Sequence, residues 1–221
     1  MNPNNRRQIL TFAAVVIVAT FLGITGAASS EQPKNPFGEK TVAEPPGQLV
    51  KNWDALREKL QQDDLIVLSC IYDSTDRCAT AKQLMRVVDD ARQYEGKAMI
   101  AHINRTINLM IRPSDGYWSS PLDILKSGRG DCKDYAIAKY AALLEAGVSP
   151  DQVRLIIVHK SGRREYHMVV GVLEGAQWLL LDNLTMTLAK DTDRRDYAPQ
   201  FVFDRMGVRR YLFADQNNYG R

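Results

Sequence analysis

The feature that limits the fold most is a change of hydrophobic period near residue 150. From Leu49 to Glu145 the apolar residues recur at spacings of three and four, and from Val153 onward they come in short runs separated by turns. The first spacing buries one face of a helix, and the second builds a sheet. Helices followed by consecutive short strands predict an α+β chain in which helices pack on an antiparallel sheet.

Before the switch, Leu49, Trp53, Leu56 and Leu60 form one stripe, which Gln61-Gln62-Asp63-Asp64 is expected to close. Stretches 80–94 and 97–111 carry similar stripes, with Ile100, Ile103, Ile107 and Met110 sharing a face in the latter. Pro113 and Ser114-Asp115-Gly116 break that helix, and a connecting stretch through Tyr117-Trp118-Ser119-Ser120-Pro121 leads to Gly128-Arg129-Gly130-Asp131-Cys132. A fourth helix is predicted over 132–145, ended by Ala146-Gly147. Strands follow at 153–159, 165–173 and 178–182, and two apolar runs at 199–203 and 208–213 read as edge strands.

The first 28 residues place Arg6-Arg7 before an uncharged apolar run that ends in Gly26-Ala27-Ala28. That pattern reads as a secretory signal or, since roughly 20 apolar residues span a bilayer, an uncleaved inner-membrane anchor. Both readings put the body outside the cytoplasm, in the periplasm, with membrane contact only through an uncleaved leader. Residues 29–48, with Pro33, Pro36, Pro45 and Pro46, read as a linker, leaving 49–221 as one domain. The net charge is +3, and Arg6 and Arg7 supply two of those charges. A near-neutral body argues against a nucleic-acid partner.

Export changes how the three cysteines read. Cys70 and Cys78 flank the polar stretch Asp73-Ser74-Thr75-Asp76, which suits a short disulfide in an oxidising compartment. Cys132 is left over. Asp131 is a good N-cap, so Cys132 falls in the first helical turn, where unpaired N–H groups and the dipole favour a thiolate. A nucleophilic cysteine is one reading, and a helix-start cysteine with no role is the other.

A thiolate nucleophile needs a base and benefits from a group that orients it. Of the three histidines, His102 and His159 read as surface residues, whereas His167 sits within the apolar strand Tyr166-His167-Met168-Val169-Val170. A hairpin closed by a two-residue Glu174-Gly175 loop, or by a four-residue loop over 173–176, sets Asp182 opposite His167. A satisfied core histidine and a strand-end aspartate are the plain alternative.

Cys, His and Asp in that order resemble the papain-like and transglutaminase-like arrangement. Gly130-Asp131-Cys132-Lys133-Asp134-Tyr135, Glu165-Tyr166-His167-Met168-Val169 and Leu181-Asp182-Asn183-Leu184 are together similar to the bacterial transglutaminase-like cysteine proteinases, in the LapG-like branch or a sister branch. The resemblance implies a Cys132 nucleophile, a His167 base and acid, an orienting Asp182, and an exported endopeptidase that needs no cofactor for its chemistry. For the LapG-like branch it further implies Ca²⁺ on carboxylates flanking the cysteine, here Asp131 and Asp134, a large surface adhesin as substrate in biofilm control, and an inner-membrane cyclic-di-GMP receptor as partner. Lys133 stands where that branch commonly carries an acid, and a cation there repels Ca²⁺. For Asp131 and Asp134 the helix cap is an equal explanation. Transglutaminase-type acyl transfer would use the same three residues, and an inactive binding module would keep the fold without a reactive thiol. A Cys/His/Asp zinc site lacks ligand spacing.

Overall fold

The computed structural model describes residues 35–73, 75–162 and 165–212. The signal or anchor read over 1–28 lies outside them. Helices α1 (Gln48–Ser69), α2 (Ala79–Ala91), α3 (Gly96–Met110), α4 (Pro121–Ser127) and α5 (Cys132–Glu145) come first, with short strands β1 (Lys40–Ala43), β2 (Arg112–Pro113) and β3 (Arg129–Gly130) among them. Strands β4 (Val153–Lys160), β5 (Tyr166–Glu174), β6 (Gln177–Leu181), β7 (Ala189–Lys190), β8 (Tyr197–Asp204) and β9 (Gly207–Leu212) follow.

The sheet order among these is β1-β9-β8-β4-β5-β6-β7, and each neighbouring pair is antiparallel. Alternate residues of the central strands divide between its two faces. Val153, Leu155, Val170, Val172, Leu179 and Phe203 pack with the helices in the main core, whereas Ile156, Val158, Val169, Leu180 and Tyr211 form a smaller cluster on the far face. Cys70 and Cys78 are joined by a disulfide that ties the end of α1 to the start of α2.

Four sequence expectations need correction. The first helix does not stop at the polar stretch 61–64. Its buried face continues through Asp63 to Val67 and Cys70, because the Asp63 carboxylate turns inward and accepts the Leu122 N–H at 2.8 Å. The stretch after Pro121 contains α4, whose signals are local: Ser120 accepts the Asp123 N–H, Pro121 opens the helix, and Gly128 closes it in the left-handed region.

Two further corrections concern the sheet. Residues 40–43, read as linker, are β1 and pair with β9. Consequently β8 and β9 are interior strands, and the sheet ends at β1 and β7.

Candidate active site

The start of α5 explains where Cys132 sits. Asp131 caps the helix by accepting the N–H groups of Lys133 and Asp134, while the Asp134 side chain accepts the Asp131 N–H at 3.0 Å. This reciprocal capping box fixes the first turn and leaves Cys132 at its head. Asp134 is 2% exposed, and two glycines make room for it. A Cβ on Gly116 would lie 1.9 Å from its Oδ2, and one on Gly130 would lie 2.5 Å from its Cβ. Gly130 and Gly116 therefore serve the capping carboxylate, since a side chain at either would collide with it. Burial raises the Asp134 pKa, against the hydrogen bond from Asp131.

Cys132 is a free, half-buried thiol. It opens into a cleft of about 360 Å³ that His167, Tyr166, Lys160, Asn183 and Leu184 also line. His167 Nε2 lies 2.8 Å from Asp182 Oδ1, so the structure brings together all three residues singled out from the sequence. The predicted register was not the reason. Glu174 pairs with Gln177 and Val170 with Leu181, so the loop is Gly175-Ala176 and Asp182 lies just beyond β6. Gly175 has φ 63° and Ala176 has no positive φ, as a type II′ turn requires. The slip of two residues keeps each side chain on its own face, and diagonal neighbours of that kind stay within reach of long side chains.

Asp182 is 1% exposed. Its Oδ1 also accepts the Leu184 N–H at 2.9 Å, and its Oδ2 accepts the Tyr197 hydroxyl at 2.5 Å and Arg194 Nη1 at 3.3 Å. Burial works against its charge, but His167, Tyr197 and the Leu184 N–H outweigh that and hold the carboxyl well below the usual range. Burial likewise disfavours a charged His167 ring. The Asp182 and Cys132 side chains win and push its pKa up to about 9. Beneath them, Lys139 is 1% exposed, and burial brings its ammonium down to about 7 against the attraction of Asp182.

Sequence reasoning missed these supports. Arg194 and Tyr197 lie in and after a turn that carries no motif. Asn104 and Asn108 had a signal, since both fall on the apolar face of α3. Asn108 Nδ2 donates to the Asp182 and Thr185 carbonyls, and Asn104 Nδ2 to that of Thr185, so two buried amides hold the loop that carries Asp182. His102 and His159 are half-buried rather than fully on the surface, stacked on Tyr94 and set edge-on to Tyr166. Trp118 packs on Phe203 and its carbonyl accepts Lys59 Nζ, a structural place.

A sequence model of the bacterial transglutaminase-like cysteine proteinases, BTLCP, matches residues 69–199, more than half of the chain. The chain belongs to this family. It is a cysteine peptidase of the BTLCP type by that membership. No curated protein sequence matches it. Among solved structures it is similar to calcium-bound LapG of Legionella pneumophila, with 25% identity over 69% of this chain and 87% of LapG and a TM-score of 0.55. EGTA-treated LapG aligns at 23% identity over 72% and 87% of the two chains, with a TM-score of 0.56.

Calcium in that relative raises the question of whether Asp131 and Asp134 could hold it in this BTLCP member. A calcium ion takes roughly six to eight oxygens. Here Asp131 Oδ1 is occupied by the cap, Asp131 Oδ2 by the Lys133 ammonium, and Asp134 Oδ2 by the Asp131 N–H. Asp134 Oδ1 is the one carboxylate oxygen of the pair left without a hydrogen-bond partner. Among the described residues no cluster of three or more His, Cys, Asp or Glu side chains suits a metal. Asp131 and Asp134 on their own do not make a calcium site, because Lys133 neutralises Asp131 and leaves Asp134 Oδ1 as the open oxygen of the pair.

Proposed function

We propose that the chain is an exported cysteine endopeptidase in which Cys132 is the nucleophile, His167 the proton carrier and Asp182 the group that orients it. The observation that carries this reading is the free Cys132 thiol at the head of α5, opening into the same cleft as a His167 ring bonded to Asp182. Nε2 faces Asp182, which leaves Nδ1 for the sulfur. A ring with a pKa near 9 carries the proton at neutral pH, so His167 already stands as the acid when the sulfur attacks.

The sulfur bonds to the peptide carbonyl carbon, and the C–N bond breaks as His167 gives its proton to the leaving amine. Water then attacks the thioester, neutral His167 takes a proton from it, and the acid product leaves with the thiolate restored. The capping box uses the N–H groups of Asp131, Lys133 and Asp134. That leaves the Cys132 N–H at the helix head as the donor for the oxyanion. The Cys70–Cys78 disulfide supports the exported reading, because such bonds persist in oxidising compartments.

The test is alkylation of Cys132 by iodoacetamide across pH, together with hydrolysis of a denatured-protein substrate, in wild type, Cys132→Ala, His167→Ala and Asp182→Asn. Wild type is expected to alkylate readily at neutral pH, to slow in both partner variants, and to lose hydrolysis in Cys132→Ala. Hydrolysis that survives Cys132→Ala in a folded protein would rule the reading out.

A further inference from the structure

Asp182 is held on two sides. One oxygen faces the His167 ring and the Leu184 N–H, and the other faces Tyr197 and Arg194. A carboxylate has about four lone-pair positions, so every position is taken and the plane of the group is set. Arg194 is fixed in turn. Its Nε and Nη2 fork onto Asp196 at 2.9 and 3.0 Å, and its guanidinium lies 3.6 Å from the centroid of the Tyr197 ring. The Tyr197 ring is itself 5.9 Å from that of His167. The turn over 191–193 and the first residue of β8 thus deliver a phenol and a guanidinium to the back of the aspartate.

The chemistry proposed above gives this arrangement a task. When His167 passes its proton to the leaving amine, the ring becomes neutral and Asp182 loses the positive charge facing Oδ1. An isolated carboxylate this deeply buried would then take up a proton or turn away. Arg194 stays charged at every stage of the cycle. Lys139, beneath the site on α5, is depressed toward neutrality and supplies a weaker field.

We propose, on the basis of that triad, that Arg194 and Tyr197 are positioning residues that keep Asp182 ionised and aimed at His167 throughout turnover. The groups facing Asp182 are His167 from β5, the Leu184 N–H, Arg194 and Tyr197 from the segment beyond β7, and Lys139 from α5. Of these, the first acts on substrate and the rest act through the aspartate.

The experiment uses the full chain and the variants Tyr197→Phe, Arg194→Met and Arg194→Lys, with folding checked by circular dichroism. The His167 ring is followed by NMR of ¹³C-labelled histidine, and Cys132 alkylation by iodoacetamide is timed at neutral pH. Each lost donor makes the His–Asp pair hold its proton more tightly, so the ring midpoint should rise by about one unit in Tyr197→Phe and in Arg194→Met. Arg194→Lys restores charge without the fork and should return most of that shift. Alkylation should slow several-fold in the first two variants, since a loosened aspartate no longer aligns the ring. Folded variants with an unchanged or lower midpoint overturn the proposal. The His167→Ala control separates the two levels. If that control leaves alkylation unchanged, the triad reading fails and the positioning role falls with it. If it slows alkylation while Tyr197→Phe and Arg194→Met are silent, only the positioning role is lost.

Discussion

At the scale of single residues, the His167–Asp182 pair links the chemistry to stability. His167 is raised from 6.5 to about 9. A raised histidine pKa stabilises the folded state fully below the unfolded pKa, and that contribution disappears as pH climbs through the folded value. The window is therefore about pH 6.5 to 9, and the full shift is worth on the order of 3 kcal/mol. Asp182 is shifted downward, so its side of the same interaction is present above the ordinary carboxylate range and is lost only in strong acid. Both are views of one ion pair and are not to be added. In Asp182→Asn the ring keeps its burial and its Cys132 partner but loses the larger of the two side chains that raise it, so its midpoint should drop from near 9. Thermal melts from pH 6.5 to 9.5 should then fall steeply in wild type and clearly less steeply in the variant. Parallel melting curves for the two proteins would show that the pair contributes nothing.

Individual elements show which residues carry readable signals. Helix α5 was legible to the residue because its cap, first turn and Ala-Gly exit all follow from local backbone chemistry, and the capping box bears this out. The remainder of α1 was not, because Asp63 looks like a solvent residue but spends its carboxylate on the head of α4. The Cys132, His167 and Asp182 set was legible as residue types in order, even though the hairpin turned one residue later than its Glu-Gly pattern suggested. Arg194 and Tyr197 were invisible because their relation to Asp182 is purely tertiary. The α5 cap also bears on calcium. With Lys133 bonded to Asp131 and the cap using the other oxygen, neither calcium nor EGTA should move the melting temperature. A calcium-dependent rise in scanning fluorimetry would overturn that. Asp131→Ala, by contrast, should cost about 1–2 kcal/mol through loss of the cap.

For the molecule as a whole, the stretch read as linker turns out to brace the far side of the sheet. Asn35 bonds Arg209, the Pro36 carbonyl accepts the Tyr211 hydroxyl, and the Phe37 N–H donates to Asp191 at 2.6 Å. Pro36 packs over Gly171, where a Cβ would come within 3.3 Å of its Cγ. Asp191 also accepts Gln177 Nε2 and heads the turn that ends at Arg194. A continuous set of contacts therefore runs from the N-terminal segment through Asp191 and Arg194 to Asp182. A chain beginning at residue 49 would lose this brace and would bare the β9 edge that β1 covers, inviting pairing between molecules. Compared with a chain beginning at Asn35, it should melt roughly 5–15 °C lower, corresponding to a loss of about 2–4 kcal/mol for a protein of this size. It should also aggregate on heating, and Cys132 should alkylate more slowly at temperatures where both chains remain folded. Equal melting temperatures would mean that the segment only rests on the sheet; a lower melting temperature with an unchanged alkylation rate would mean that the brace supports the fold without reaching Asp182.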